Sequence, residues 1–165
     1  MLYLHITSVG KFTSLLFSED SFDRFLLHDV SVEALYTTVI EGRKNASFFS
    51  EEERESALSP AFVEWRDIRP SVYKLLSGKR LPVSFRVVLL TSPESTKSIV
   101  AKSGFDGCAV TSLSITVQYR EQKLTVSTGI SYGGFSLDKT LEKYWDSAVI
   151  SFLEGKSVEF EIPED

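Results

Sequence analysis

The segment from residue 128 to residue 139 gathers residue types that could bind a small polar or anionic ligand. Two glycines permit a positive φ angle and the close approach of a ligand, and the start of a predicted helix offers backbone N–H groups without helical partners. A purely structural turn explains the same residues, with Asp138 as helix cap and with Phe135 and Leu137 fixing the helix to the core. The candidate ligand-binding residues are Thr128, Ser131, Gly133, Gly134, Asp138 and Lys139.

Two arginines form a second candidate for anion binding. Arg66 and Arg69 lie just before Pro70, where a helix is predicted to begin, and a helix N-terminus favours negative charge. Ordinary surface ion pairing is the alternative explanation. If the arginines do bind a ligand, we expect them to assist the loop at 128–139.

Residues for catalysis or metal binding form no recognisable set. His5 and His28 lie in no HxH, HxxxH or HxxE pattern, and with the one cysteine, Cys108, they supply too few ligands for zinc. The chain has no GxSxG nucleophile motif and no glycine-rich phosphate loop. We therefore predict no catalytic residues, no metal and no cofactor.

The last predicted helix carries two carboxylates that could act together. Glu142 and Asp146 are four residues apart, so they are neighbours on one helix face. They could share a cation, and a solvated polar face is the alternative.

Composition and charge restrict the class of protein. The 165 residues are 42% hydrophobic and 25% charged, which is typical of a folded domain with one core. The formal net charge of −5 argues against a nucleic-acid binder. No apolar run reaches the length of a membrane span, and the N-terminus lacks the pattern of a signal peptide. We expect residues 1–165 to form a single domain of a cytoplasmic protein that binds neither nucleic acid nor membranes.

Hydrophobic periodicity positions the candidate loop between a hairpin and a helix. Alternating runs at 112–120 and 123–132, joined at Glu121-Gln122, predict a long antiparallel hairpin with one buried face and one face rich in Ser and Thr. Apolar residues then recur with a 3.6-residue period from Asp138 to Glu154, which predicts a long amphipathic C-terminal helix.

The remaining pattern predicts shorter elements. Helices should begin near Ser8, at Ser50 within a capping box, at Pro70, and at Ser92. Strands are predicted at 2–6, 32–41, 62–68, 82–90 and 158–162.

These elements predict an α+β domain. Its sheet is expected to be mixed and mainly antiparallel, with about six to eight strands and with helices packed on one face. Two strand–helix–strand units, 82–120 and 123–162, are expected to have parallel outer strands where these share a sheet. A strongly curled, barrel-like sheet is the alternative.

Several short segments together carry a resemblance to a known family. They are Thr128-Gly129, Ser131, Phe135, Leu137-Asp138-Lys139, Leu141-Glu142, Trp145-Asp146, Leu4-His5-Ile6-Thr7, Lys11-Phe12, Phe22-Asp23 and Phe25-Leu26-Leu27. With these residues the chain resembles an uncharacterised, domain-of-unknown-function family of small cytosolic proteins from Gram-positive anaerobic bacteria. The resemblance covers most of the chain and implies no activity, since the family has no assigned function. Gly133-Gly134 departs from the more compact family pattern after Ser131.

The leading hypothesis is a non-enzymatic binding or protein-interaction domain, with a homodimer or an unidentified protein as its partner. It rests on the missing nucleophile–base set and on the polar face of the hairpin. The alternative is a small-ligand-binding protein or small enzyme that uses the loop from Thr128 to Lys139. A structural subunit of a larger complex is a third class.

Overall fold

A computed structural model describes residues 1–164. Asp165, the last residue of the acidic C-terminus, lies outside the described residues. A short 3-10 helix at Ala46–Phe48 accompanies the main elements. In chain order these are β1 (Tyr3–Ile6), α1 (Val9–Phe17), β2 (Leu26–Glu33), β3 (Thr37–Glu41), α2 (Glu51–Ala57), α3 (Trp65–Leu76), β4 (Ser84–Leu90), α4 (Pro93–Ser103), β5 (Val110–Arg120), β6 (Lys123–Tyr132), α5 (Thr140–Gly155) and β7 (Phe160–Glu161).

Within residues 1–164 the seven strands form one sheet in the order β3-β2-β4-β5-β6-β1-β7. Every neighbouring pair is antiparallel. The sheet is open, with β3 and β7 at its edges, so the barrel-like alternative is wrong. The predicted α+β fold, with a mainly antiparallel sheet and helices on one face, is confirmed.

The hairpin of β5 and β6 lies near the middle of the sheet. Glu121 and Gln122 join its strands with φ angles of 51° and 62°, and two consecutive positive φ angles are typical of a type I′ turn. The turn fixes the register, in which Arg120 lies opposite Lys123. Alternate residues therefore face the helices, and the Ser- and Thr-rich set faces the open side, as the sequence predicts.

Helix α5 covers the hairpin with a buried stripe. Leu141, Trp145, Val149 and Leu153 recur every four residues and are all buried. Burial of each such side chain contributes about 1.5–3 kcal/mol to folding. The indole N–H of Trp145 also donates to the Ser114 carbonyl oxygen at 3.1 Å, which fixes α5 over β5.

Three helix ends follow the sequence signals. Ser50 and Glu53 form the expected capping box, and the Ser92 hydroxyl accepts from the N–H of Ser95 with Pro93 in the first turn. Gly104 ends α4 with a φ of 76°, a left-handed conformation that glycine adopts without steric cost.

Two predicted strands are wrong. The single strand expected at 32–41 is interrupted by a turn, so it comprises the end of β2 and all of β3. The strand expected at 62–68 belongs largely to α3, which starts at Trp65 and contains Pro70 in its interior. Trp65 and Val72 are the buried residues of α3, and their spacing of seven residues fits two helical turns.

Of the two strand–helix–strand units, the first differs from expectation and the second has the expected parallel outer strands. β4 and β5 are antiparallel neighbours, so the first unit is not a parallel crossover. β6 and β7 each pair antiparallel with β1, and they consequently run parallel to each other with β1 between them.

We predict that Gly42→Ala destabilises the protein by about 3 kcal/mol, because overpacking next to rigid backbone forces the chain to move. A Cβ added at Gly42 would lie 1.8 Å from the carbonyl oxygen of Leu27. Urea denaturation measures the loss. Gly155→Ala is the control, because a Cβ there meets nothing within 4 Å. Equal stability of the two variants would contradict this packing.

Candidate functional site

Thr128 is the most buried of the predicted site residues. It lies on β6 with 4% of its surface exposed. Its hydroxyl donates to Oδ1 of Asp146 at 2.5 Å and accepts from the N–H of Leu2 at 2.8 Å. The hydroxyl thus joins α5 and the N-terminal segment to β6, and both of its hydrogen-bonding roles are used within the chain.

The carboxylates of α5 share a cation, as one of the two interpretations of the sequence suggests, and that cation is the α-amino group of Met1. The amino group contacts Oε1 of Glu142 and lies 3.8 Å from Oδ2 of Asp146. Lys139 adds a second contact, with its Nζ atom 3.0 Å from Oε2 of Glu142. Both positive groups lower the pKa of Glu142, and Glu142 in turn raises the pKa of Lys139.

The glycine pair has a packing role that the sequence did not specify. Neither glycine has a positive φ angle. The N–H of Gly133 donates to the carbonyl oxygen of Ala109 at 2.7 Å. A Cβ at Gly133 would lie 3.2 Å from the Cβ of Ala109, and one at Gly134 would lie 3.3 Å from the Cβ of Cys108. Small residues are needed here because the loop passes close to the start of β5.

The loop after the glycines differs from the structural turn that the sequence suggests. Phe135 and Leu137 are 84% and 80% exposed, so the expectation that they fix the helix to the core is wrong. α5 begins at Thr140 rather than at Asp138. The Asp138 carboxylate accepts from the N–H of Thr140 at 2.9 Å and from its hydroxyl at 2.6 Å, and these bonds lower the pKa of Asp138. Ser131 is exposed near the end of β6.

The two predicted arginines belong to α3 and are held by neighbouring residues. Arg69 forms a paired contact with Asp23, at 3.0 and 3.1 Å, and donates to the Phe17 carbonyl oxygen at 3.4 Å. Nε of Arg66 lies 2.5 Å from Oε2 of Glu64. None of these partners belongs to the loop at 128–139, so ligand binding by the loop with help from the arginines stays a prediction.

A cleft that the sequence did not predict lies between α1 and α3. The Trp65 indole N–H donates to the Leu16 carbonyl oxygen at 2.9 Å and, with Arg69, holds the C-terminal end of α1 against the first turns of α3. The two helices leave between them a cavity of about 420 Å³. Its walls are Val9, Gly10, Thr13, Ser14, Phe17, Ser18, Tyr73, Leu76, Ser77, Leu81, Pro82, Phe85 and Tyr119.

The cleft is uncharged and mainly apolar. No Asp, Glu, His, Lys, Arg or Cys side chain is among the residues that line it. Phe85 forms much of the floor, stacked on Tyr119 with ring centres 5.5 Å apart and edge-on to Phe17 at 5.6 Å. Ser14 and Ser18 contribute hydroxyl groups that can donate or accept hydrogen bonds.

The cleft is not predictable from local sequence patterns, because its walls come from four separate parts of the chain. The false strand at 62–68 also concealed that α3 extends far enough to pack along α1. One local signal was present: Leu81, which follows the end of α3 and precedes β4, is a large apolar residue in the turn-like stretch Gly78-Lys79-Arg80-Leu81-Pro82. It is 81% exposed and borders the cleft.

Two further findings concern possible sites in residues 1–164. No group of three or more His, Cys, Asp or Glu side chains is placed to hold a metal ion. No helix in this part of the chain is both long and apolar enough to cross a membrane.

The fold and the cleft define an α+β protein with an open antiparallel sheet, a helical layer on one face and an uncharged cavity within that layer. The model of a family of unknown function, DUF5721, matches residues 15–161, and the chain belongs to this family. The resemblance seen in the sequence is confirmed to that extent. Searches of curated proteins and of solved structures give no match to the chain.

We predict that Thr128→Val costs about 1–3 kcal/mol of stability, because the N–H of Leu2 loses a buried acceptor and Asp146 loses a donor. Thermal or urea denaturation measures the cost. Thr125→Val, on the open face of the same strand, is the matched control and should change stability by less than about 0.5 kcal/mol. An equal effect of both substitutions would show that the Thr128 hydroxyl has no special structural role.

We predict that Glu142→Gln lowers stability at neutral pH by about 0.5 kcal/mol, the size expected for a partly exposed ion pair. The folded-state pKa of Glu142 is below its ordinary value of 4.5, so its charge stabilises the folded state above that value. This contribution is lost as the pH falls through the lower, folded-state pKa. Urea midpoints of the two proteins should therefore differ at neutral pH and converge in acid.

The control for this prediction is Glu154→Gln, on the last turn of the same helix. The stability of Glu154→Gln should fall with decreasing pH in the same way as that of the unaltered protein. A Glu142→Gln protein whose stability difference is the same at neutral and at acid pH would contradict the ion pair.

Proposed function

We propose that the chain is a non-enzymatic binding domain whose ligand site is the cleft between α1 and α3. Its ligand would be a neutral, mainly apolar small molecule. The observation that carries the proposal is a cavity of about 420 Å³ whose lining residues include no charged side chain. The proposal also includes a single domain over residues 1–165, a cytoplasmic location, a Gram-positive bacterial source, and no nucleic-acid or membrane partner.

The size and walls of the cleft support binding of a small molecule. Ligand pockets in proteins typically enclose about 300–1,000 Å³ and have mostly apolar and aromatic walls with a few polar groups that fix the ligand's orientation. Here Phe17, Phe85 and Tyr119 supply aromatic surface, and Ser14 and Ser18 supply the polar groups. A charged ligand would lose its hydration without gaining a countercharge, which favours a neutral one.

The same lining argues for binding rather than catalysis. General acid–base catalysis needs a side chain that exchanges a proton near neutral pH, most often His, Glu, Asp or Lys. No residue of these four types is among those that line the cleft. The cleft therefore offers shape and hydrogen bonds and lacks a proton-transfer group suited to neutral pH.

We predict that Gly10→Leu weakens binding in the cleft while the protein stays folded. Gly10 lies in the first turn of α1, and a Cβ there meets nothing within 4 Å, so the new side chain has room to enter the cavity. Helix propensity favours leucine over glycine by roughly 0.5–1 kcal/mol, which helps to keep the variant folded. Titration with Nile red, a neutral apolar dye, should show affinity reduced by about tenfold or more.

Two controls make this experiment specific. Gly155→Leu, at the end of α5, is an equally unhindered glycine position outside the cleft and should bind the dye as the unaltered protein does. Lys139→Ala tests the loop at 128–139. Loss of binding in Lys139→Ala but not in Gly10→Leu would place the site at the loop and overturn the proposal.

A second candidate function is self-association, and the free edge of β3 favours it. This candidate corresponds to the homodimer that the sequence suggests. It is independent of the cleft, since β3 contributes no residue to the cleft walls.

A further inference from the structure

β3 forms one edge of the sheet, and β2 is the strand that pairs with it in the described part of the chain. Two hydrogen bonds show which of its backbone groups face β2. The N–H of Gly42 donates to the carbonyl oxygen of His28 at 2.9 Å. The N–H of Ala34 donates to the carbonyl oxygen of Tyr36 at 3.1 Å.

The hydrogen-bonding pattern alternates along an antiparallel pair, so these two bonds fix the direction of every group between them. The N–H and C=O groups of Thr38 and Ile40 therefore point toward β2, where these residues pair with Val32 and Val30 respectively. The backbone groups of the residues between and beside them point away from the sheet. The outward-facing residues are Thr37, Val39 and Glu41.

Of the usual features that prevent pairing with another strand, β3 has a single charged residue, Glu41, at its end. Proteins protect exposed edges with lysine, proline, a bulge or a very short strand. β3 instead reads Thr37-Thr38-Val39-Ile40 before Glu41, four consecutive β-branched residues with high β propensity. The opposite edge is different, because β7 has two residues and is followed closely by Pro163.

We infer that β3 is a dimerisation strand that pairs antiparallel with β3 of a second copy of this chain, with the two-fold axis at Val39. The two sheets would then form one continuous sheet. This inference rests on self-association, the second candidate function, and does not depend on the cleft.

The outward-facing groups and the charges select this register. With the axis at Val39, each copy pairs Thr37 with Glu41 of the other, and all three outward-facing residues of both strands find partners. Each such pair exchanges two N–H···O bonds. An axis at Glu41 would place two carboxylates opposite each other, and like charges in that position are destabilising. An axis at Thr37 would leave Glu41 beyond the paired strands.

Side chains on both faces fit the same register. Val39 is 61% exposed on the open face of the sheet, and the two copies of Val39 would contact each other across the axis. On the helical face, half-buried Thr38 would lie opposite Ile40 of the second copy. Such cross-strand pairs of β-branched residues stabilise sheets.

The first test is the mass of the protein in solution, measured by light scattering after gel filtration at high micromolar concentration. The unaltered chain should have the mass of a dimer. Val39→Pro should be monomeric, because it removes an outward N–H and leaves the N–H groups of Thr38 and Ile40 toward β2 intact. Val39→Thr retains that N–H and should stay dimeric.

The second test uses cross-linking and does not depend on whether the proline variant folds. In a Cys108→Ser background, Val39→Cys should form a disulfide-linked dimer on mild oxidation, since paired Cα atoms at the axis lie about 5.5 Å apart. Thr37→Cys is the matched control. Its two copies would be separated by four residues along the strand, roughly 14 Å, which is out of reach.

The outcomes separate the two ideas. A monomeric unaltered protein at all concentrations overturns self-association and this interface together. A dimer that persists in Val39→Pro, or that cross-links equally well through Thr37→Cys, keeps self-association and overturns the pairing through β3. None of these results bears on dye binding by the cleft.

Discussion

The structure depends on one constraint: the helices bury their apolar surface against the same face of a single sheet. The central strands β4, β5, β6 and β1 direct alternate side chains into this layer, and α1, α3 and α5 cover them. Burial of large apolar side chains is the main favourable contribution to folding, so the arrangement of the helices follows from where the sheet presents those residues. The opposite face is left to Ser, Thr and charged residues, as one-sided antiparallel sheets commonly show.

Features with a local cause were predictable from the sequence. The β5–β6 hairpin, the stripe of α5, the capping box of α2 and the end of α4 at Gly104 each depend on residues within a few positions of one another. The first turn of α3 was wrongly predicted as part of a strand, because the spacing of Trp65 and Ile68 fits a short strand as well as a helix. The contacts of this turn are long-range, since the indole N–H of Trp65 donates to the carbonyl oxygen of Leu16, 49 residues distant in the sequence, and local pattern does not reveal them.

The candidate site shows the same division. The polar residues of the loop at 128–139 were recognisable by type, but their partners were not. Thr128 forms hydrogen bonds with Leu2 and Asp146, and Glu142 forms ion pairs with the α-amino group of Met1 and with Lys139. Chemical groups that look free in a sequence are often satisfied by distant residues, because buried polar groups are costly without hydrogen bonds. The cleft has the opposite character, since it is made of ordinary apolar and hydroxyl residues that α1, α3, the segment before β4, β4 and β5 bring together.

The one-sided architecture also determines where this protein can meet other molecules. The proposed ligand site is an open cleft within the helical layer, lined mainly by apolar side chains, whereas the sheet can meet another chain through its edge without disturbing that layer. The two edges are unequal, because the chain shortens β7 to two residues while β3 presents three residues with outward backbone groups. The cleft borders α1 and α3, and β3 lies beside β2 at the far end of the strand order from β1 and β7. The proposed ligand binding in the cleft and the proposed pairing through β3 therefore involve separate parts of one fold, and neither requires a change in the other.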